Sequence, residues 1–133
     1  MSRQIAGRTA WRLEAARASL AADSRAVDLE EPRIVFLKDS RPSVLLRGAR
    51  GHLDLTTYDV HLDSSVIAES SAEGVRLEGQ SLAYSEKTRL ITSNRPVVLR
   101  RPGMVVRGTG LQSDTDLREV RVFNQKSVLE DRP

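Results

Sequence analysis

The sequence predicts an all-β fold, an elongated stack of short antiparallel strands arranged as two opposed sheets. Three observations lead there. Apolar residues recur at alternate positions through most of the chain, and clusters of Pro, Gly, Ser, Asn and Asp separate the alternating runs. The chain also matches itself at a spacing of 31 residues. Successive side chains of a strand point to opposite faces, so an apolar i, i+2 pair marks a strand with one buried and one solvated side.

In chain order the alternation reads Trp11/Leu13, Val27/Leu29, Ile34/Phe36, Val44/Leu46, Leu53/Leu55, Val60/Leu62, Val66/Ala68, Val75/Leu77, Leu82/Tyr84, Val97/Leu99, Met104/Val106 and Val120/Val122. Each pair is a short half-buried strand. The clusters at 38–42, 70–74, 93–96 and 101–103 carry the Asp, Ser, Asn, Pro and Gly of turns, so hairpins are expected there. One stretch resists this pattern. Residues 10–22 are rich in Ala, Arg and Leu, which favour a helix by propensity. A strand over 11–18 is nevertheless expected, because strand pairing overrides propensity and the repeat requires a strand at that place.

The repeat aligns Val35, Val66, Val97 and Val128, and brings Leu29, Val60 and Ile91 into one register. Gly48 falls on Gly79, Leu53 on Tyr84 and Thr57 on Thr88, while Arg107-Gly108 with Leu111 repeats Glu78-Gly79 with Leu82. About four copies of a strand-turn-strand unit account for the chain. A unit of this kind cannot bury its apolar face alone, so successive copies stack into two sheets with their inner faces opposed. The terminal strands of an unclosed stack offer free N–H and C=O groups to another chain.

Length and composition bound the function. The 133 residues suit a single domain, expected to span 1–133 with an ordered core over about 11–128. Charged residues make up 29% and apolar ones 39%, a balance that folds. The net charge of +3 is too small to argue for nucleic acid as a partner. With no cysteine, disulfides, thiolate metal sites and a Cys nucleophile are excluded. No run reaches the roughly eighteen apolar residues of a membrane span, so any membrane anchor is expected to be missing from this chain.

Three stretches carry a resemblance to a known family. The first is Trp11-Arg12-Leu13-Glu14-Ala15-Ala16-Arg17-Ala18, followed by Val27-Asp28-Leu29 and Pro32-Arg33-Ile34-Val35-Phe36; the second runs from Ala49-Arg50-Gly51 through Thr57-Tyr58-Asp59-Val60-His61-Leu62 to Val66. The third joins Leu77-Glu78-Gly79-Gln80-Ser81-Leu82-Ala83-Tyr84, Arg95-Pro96-Val97 and Val106-Arg107-Gly108-Thr109-Gly110-Leu111. In this order they resemble the OstA-like repeat family of lipopolysaccharide export, the LptC branch more than the anchor-free LptA branch.

The resemblance implies a twisted, open β-jellyroll in the periplasm, normally anchored to the inner membrane. It implies a non-catalytic conduit with no cofactor, holding the acyl chains of lipopolysaccharide between the sheets. Its implied partners are lipopolysaccharide, an inner-membrane ABC transporter of the LptB-LptF-LptG type and an LptA-type bridge protein joined by edge-strand pairing; a homodimer is a further possibility. A β-rich assembly or adhesion module with a dry core is the alternative from another class.

Lipid-groove candidates are Val44, Leu46, Leu53, Leu55, Val60, Leu62, Val75, Leu77, Leu82, Tyr84, Val97, Leu99, Met104 and Val106. Aromatic residues make up only 4% of the chain, and an aliphatic lining suits acyl chains better than ring ligands. The simpler reading of the same residues is a closed core. Partner-docking candidates are Trp11, Leu13, Gly108, Val120, Val122 and Val128, at the two terminal stretches and a repeat glycine. Gly48, Gly79 and Gly108 are expected at bulges, positive φ or close backbone approaches. His52-Leu53-Asp54 and His61-Leu62-Asp63 each place His and Asp on one strand face. Solvent-facing polar residues are the expected reading, since a catalytic zinc site needs three ligands in a pocket. The chain contains no nucleotide, hydrolase or zincin motif.

Overall fold

Alternation of apolar side chains becomes a ladder of strands. The computed structural model describes residues 2–3, 10–20 and 25–129, with side chains described for 11–20 and 25–125. The strands are β1 (Ser2–Arg3), β2 (Ala10–Glu14), β3 (Arg17–Leu20), β4 (Ala26–Glu30), β5 (Arg33–Lys38), β6 (Arg41–Arg47) and β7 (Arg50–Asp54). They continue with β8 (Val60–Ser70), β9 (Val75–Ser85), β10 (Leu90–Arg101), β11 (Met104–Ser113), β12 (Val120–Val122) and β13 (Lys126–Leu129). All the described pairings are antiparallel. No helix among the described residues is long and apolar enough to cross a membrane.

The ladder is continuous, but a line of corners folds it on itself. In β8, residues 60–63 pair with β7 and with 81–84 of β9, whereas 66–70 pair with 75–79 of β9 and, in part, with β6. The register breaks at Ser64 and Ser65, both with φ above zero, at 66° and 53°. Equivalent breaks fall between 93 and 96 in β10 and at the junctions β2/β3, β4/β5 and β6/β7. One sheet therefore holds β2, β5, β6 and the segments 66–70, 75–79, 97–101 and 104–107. The other holds β3, β4, β7, the segments 60–63, 81–85, 90–93 and 111–113, and β12.

The repeat is explained by these corners. Gly48 to Gly79, Ser64 to Arg95 and Gly79 to Gly110 each span 31 residues, and each span is one crossing outward and one back. Backbone groups remain paired across the bends: Ala16 N–H donates to Glu30 O, Glu31 N–H to Ala49 O, and Ala49 N–H to Ser64 O, each at 2.9 Å. Bends that satisfied their backbone groups less well would carry a desolvation cost.

Several expectations change in detail. The 93–96 cluster is a corner within β10 rather than a hairpin turn, and the β9–β10 turn lies at 86–89. The same Ser, Asn and Pro chemistry that turns a hairpin also breaks a strand at a bulge. Strand formation over 11–18 prevails over helix propensity, with an interruption at Ala15–Ala16; Ala21 and Ala22 lie outside the described residues. Leu55 belongs to the turn after β7. Ile34 takes the inward position in β5, and Val35 is only half-buried, while its repeat mates Val66 and Val97 are in the core.

Between the sheets, Leu29, Val60 and Ile91 share the predicted register and are buried together with Leu46, Leu62, Leu77 and Leu111. Burial of such side chains stabilises by roughly 1.5–3 kcal/mol each before entropy is counted. Trp11, Phe36 and Tyr84 cluster edge to face, with Tyr84 5.0 Å from Phe36 and 6.2 Å from Trp11 by ring centroids.

Candidate functional site

The buried apolar residues of the interior form one cluster that runs from β2 to β12. Of the predicted groove residues, Val44, Leu46, Leu53, Val60, Leu62, Val75, Leu77, Leu82, Tyr84, Val97, Leu99 and Val106 are buried in one cluster. Leu55 and Met104 pack against it, partly buried. Sheet segments from opposite sides of the corner line face each other, so the corners join the sheets along one side. The other side is bounded by two rims of turns.

Contacts among the described residues bridge those rims at two places. At the first, Trp11 Nε1 donates to Glu86 Oε2 at 3.1 Å and Tyr84 Oη donates to Glu86 Oε1 at 2.9 Å. Burial, and next the hydrogen bond to Glu86, push the Tyr84 hydroxyl well above its ordinary range, so it stays a protonated donor. At the second, the 114–119 segment leaves β11 and reaches across to the facing rim. Lys38 Nζ stands 3.6 Å from Asp116 Oδ2, Ser43 Oγ donates to Asp116 Oδ1 at 3.4 Å, and Arg118 Nε lies 3.7 Å from Glu73 Oε2.

The 114–119 strap has its own internal support. The Asp114 carboxylate accepts from Arg118 N–H at 2.9 Å and from Glu119 N–H at 3.4 Å. Burial alternates through it, with Leu111, Ser113, Thr115 and Leu117 inward, and Leu117 joins the core at 1% exposure with φ 55°. Beside Leu117 lies a cavity of about 340 Å³ whose lining includes Val75, Leu99, Met104, Val106, Val120 and Val122, with Arg101 and Arg118 also on its wall. A larger cleft, about 630 Å³, runs along the corners among Glu14, Arg33, Arg47 and Ile67, outside the interior.

The docking candidates separate into core and edge. Trp11 and Leu13 are buried, and their strand is flanked by β1 and β5. On that side of the molecule β3 pairs with β4 alone among the described strands. At the opposite end β12, with Val120 and Val122, and β13, with Val128, each pair with β11 alone among the described strands. Gly108 sits where the chain after β12 crosses β11: a Cβ there would stand 2.5 Å from both Phe123 O and Val122 Cγ1. Its role is close backbone approach rather than positive φ.

The histidines lie on the outer face of the second sheet. His52 and His61 are cross-strand partners; His52 Nδ1 is 2.6 Å from Asp28 Oδ1, and His61 Nε2 is 3.2 Å from Asp63 Oδ1. Asp54 instead accepts from Thr56 N–H and Thr57 N–H, which hold its carboxyl below the usual range. No cluster of His, Asp or Glu with metal-holding geometry occurs among the described residues. Sequence reasoning missed Leu117 and Glu86. Leu117 was detectable only through its even spacing from Leu111, because Ser113 and Thr115 interrupt the apolar alternation.

The comparisons with known proteins agree with this architecture. A crystal structure of LptH, the LptA-homologous periplasmic component of the conserved lipopolysaccharide transport device from Pseudomonas aeruginosa, is similar over 92% of this chain and 95% of that chain, with a TM-score of 0.68. Their identity is 13%, so this likeness is one of fold, the open β-jellyroll. The search of curated protein sequences found no match. Residues 3–130 match the family described as lipopolysaccharide-assembly, LptC-related, and the chain belongs to that family.

Proposed function

We propose that this chain is a non-catalytic bridge of lipopolysaccharide transport that carries acyl chains between its two sheets. In this reading it works in the periplasm at the inner membrane, receiving lipid from an ABC transporter and passing it to the next bridge protein. The observation that supports it best is the continuous aliphatic cluster between sheets joined along one side only, together with the cavity at its C-terminal end. Each methylene moved from water into such a lining gains roughly 0.8 kcal/mol, so transfer along it needs no reactive group. The β12 and β13 edges at the same end suit pairing with a following strand.

Close packing of the interior favours the rival reading, a dry assembly module, and one experiment separates the two. A photoreactive phenylalanine analogue is placed at Leu99 or Met104, beside the cavity, and at Val98, which lies between the buried Val97 and Leu99 on the outer face of β10. Irradiation in lipopolysaccharide-producing cells is expected to capture lipopolysaccharide from the first two positions and not from Val98. Folded variants that capture none at Leu99 and Met104 would leave only the dry module.

A further inference from the structure

Leu117 occupies a place that the proposed cargo needs. Resting on the conduit reading above, we propose that the 114–119 strap is a side door of the interior, and that Leu117 is its plug, holding an acyl-chain site filled until lipid displaces it. The site belongs to the chain of an acylated amphiphile: it is the cavity lined by Val75, Leu99, Met104 and Val106, with Leu117 itself forming part of the wall and Arg118 and Glu119 of the strap beside it.

Three features make the strap movable. Its residues 114–119 belong to no strand, and its turn is closed internally by Asp114, so it can swing as a unit without breaking a ladder. Its ties to the facing rim are the Asp116 contacts with Lys38 and Ser43 and the Arg118 contact with Glu73. Arg118 is 60% exposed and Lys38 48%, with their partners Glu73 and Asp116 at 35% and 23%, and pairs that solvent reaches in this way contribute modestly and weaken with salt. Leu117 is also held at φ 55°, a region that residues other than glycine seldom adopt, so its burial is set against a local backbone cost. The strap's main apolar hold is the burial of Leu117, with the buried Thr115 adding a smaller share, and an entering acyl chain replaces the burial of Leu117 in kind.

The other rim contact is built differently. Trp11 and Tyr84 are buried core side chains of β2 and β9, so parting them from Glu86 would disturb both sheets. The geometry therefore points to the strap, and not to the Trp11 bridge, as the place where the rims part.

A staple tests this. The chain has no cysteine, so Ser43→Cys with Asp116→Cys introduces one pair, at positions whose side-chain oxygens are 3.4 Å apart. Bond formation is verified by mass and folding by circular dichroism, and binding of purified, fluorescently labelled lipopolysaccharide is measured. The oxidised protein is expected to bind at least tenfold more slowly than the same protein after reduction. Equal rates would overturn the door while leaving the conduit standing, whereas no binding by folded, reduced protein would defeat both. A second variant needs no disulfide: Glu73→Gln with Asp116→Asn cuts the rim ties and should bind several-fold faster than the parent chain. An unchanged rate there would equally overturn the door.

Discussion

Gly108 shows how much can depend on one missing methyl group. A Cβ at this position would stand 2.5 Å from the Phe123 carbonyl, and backbone cannot yield as a flexible side chain can. Gly108→Ala is expected to cost about 1–3 kcal/mol, the usual range for overpacking a tight site, and to loosen 122–129 first. The urea midpoint gives the first number; amide exchange of β12 and β13 against that of β6 gives the second. Equal loss of protection across all strands would show that Gly108 supports the whole stack and not the C-terminal crossing. The sequence singled out this glycine through the repeat. It set Gly108 apart as a docking candidate but gave no steric ground for separating it from Gly48 and Gly79, whose added Cβ atoms meet neighbours only at 3.3–3.4 Å.

At the scale of elements, the strands were legible because burial of one face imposes period two on their residues. Val44/Leu46, Val75/Leu77 and Val97/Leu99 are where the alternation placed them. The corners were less legible. Asn94 and Arg95 interrupt a strand that continues into the facing sheet, and nothing local distinguishes that from a hairpin. Leu117 was lost for the same kind of reason, since a strap that buries Ser113 and Thr115 reads as a polar loop. The C-terminal edge offers a direct test of element function. Phe123→Pro deletes the N–H that donates to Gly110 O at 3.0 Å and frees the end of β12 from β11. Retention of a bridge partner in a pull-down is expected to fall at least several-fold while the thermal midpoint moves by only a few degrees. Undiminished retention would remove this edge from the docking surface.

Across the whole molecule, charge on the outer faces adjusts a stability that the interior supplies. Glu78 on β9 accepts from Arg100 Nε at 2.9 Å and from Arg76 Nε at 3.2 Å, and the Arg100 hydrogen bond above all holds its carboxyl below the ordinary 4.5. A carboxyl lowered in the folded state contributes stability above its unfolded value, which drains away as pH falls through the folded value. Glu78→Gln should therefore be slightly less stable than the parent chain at pH 7, by well under about 1 kcal/mol, with the gap closing below pH 4.5. Melting curves from pH 7 to pH 3 check it, and a gap that widened in acid would contradict the assignment.

The line of corners also turns chain length into distance. Each 31-residue span is one journey out and back, so it adds one complete strand pair to each sheet. At a strand spacing of roughly 4.8 Å, one such span lengthens the stack by about 10 Å without altering its cross-section. The architecture is modular in the manner of a ruler. Duplicating one graduation would yield a longer reach with the same bore, and the gap such a protein bridges is written in its number of repeats.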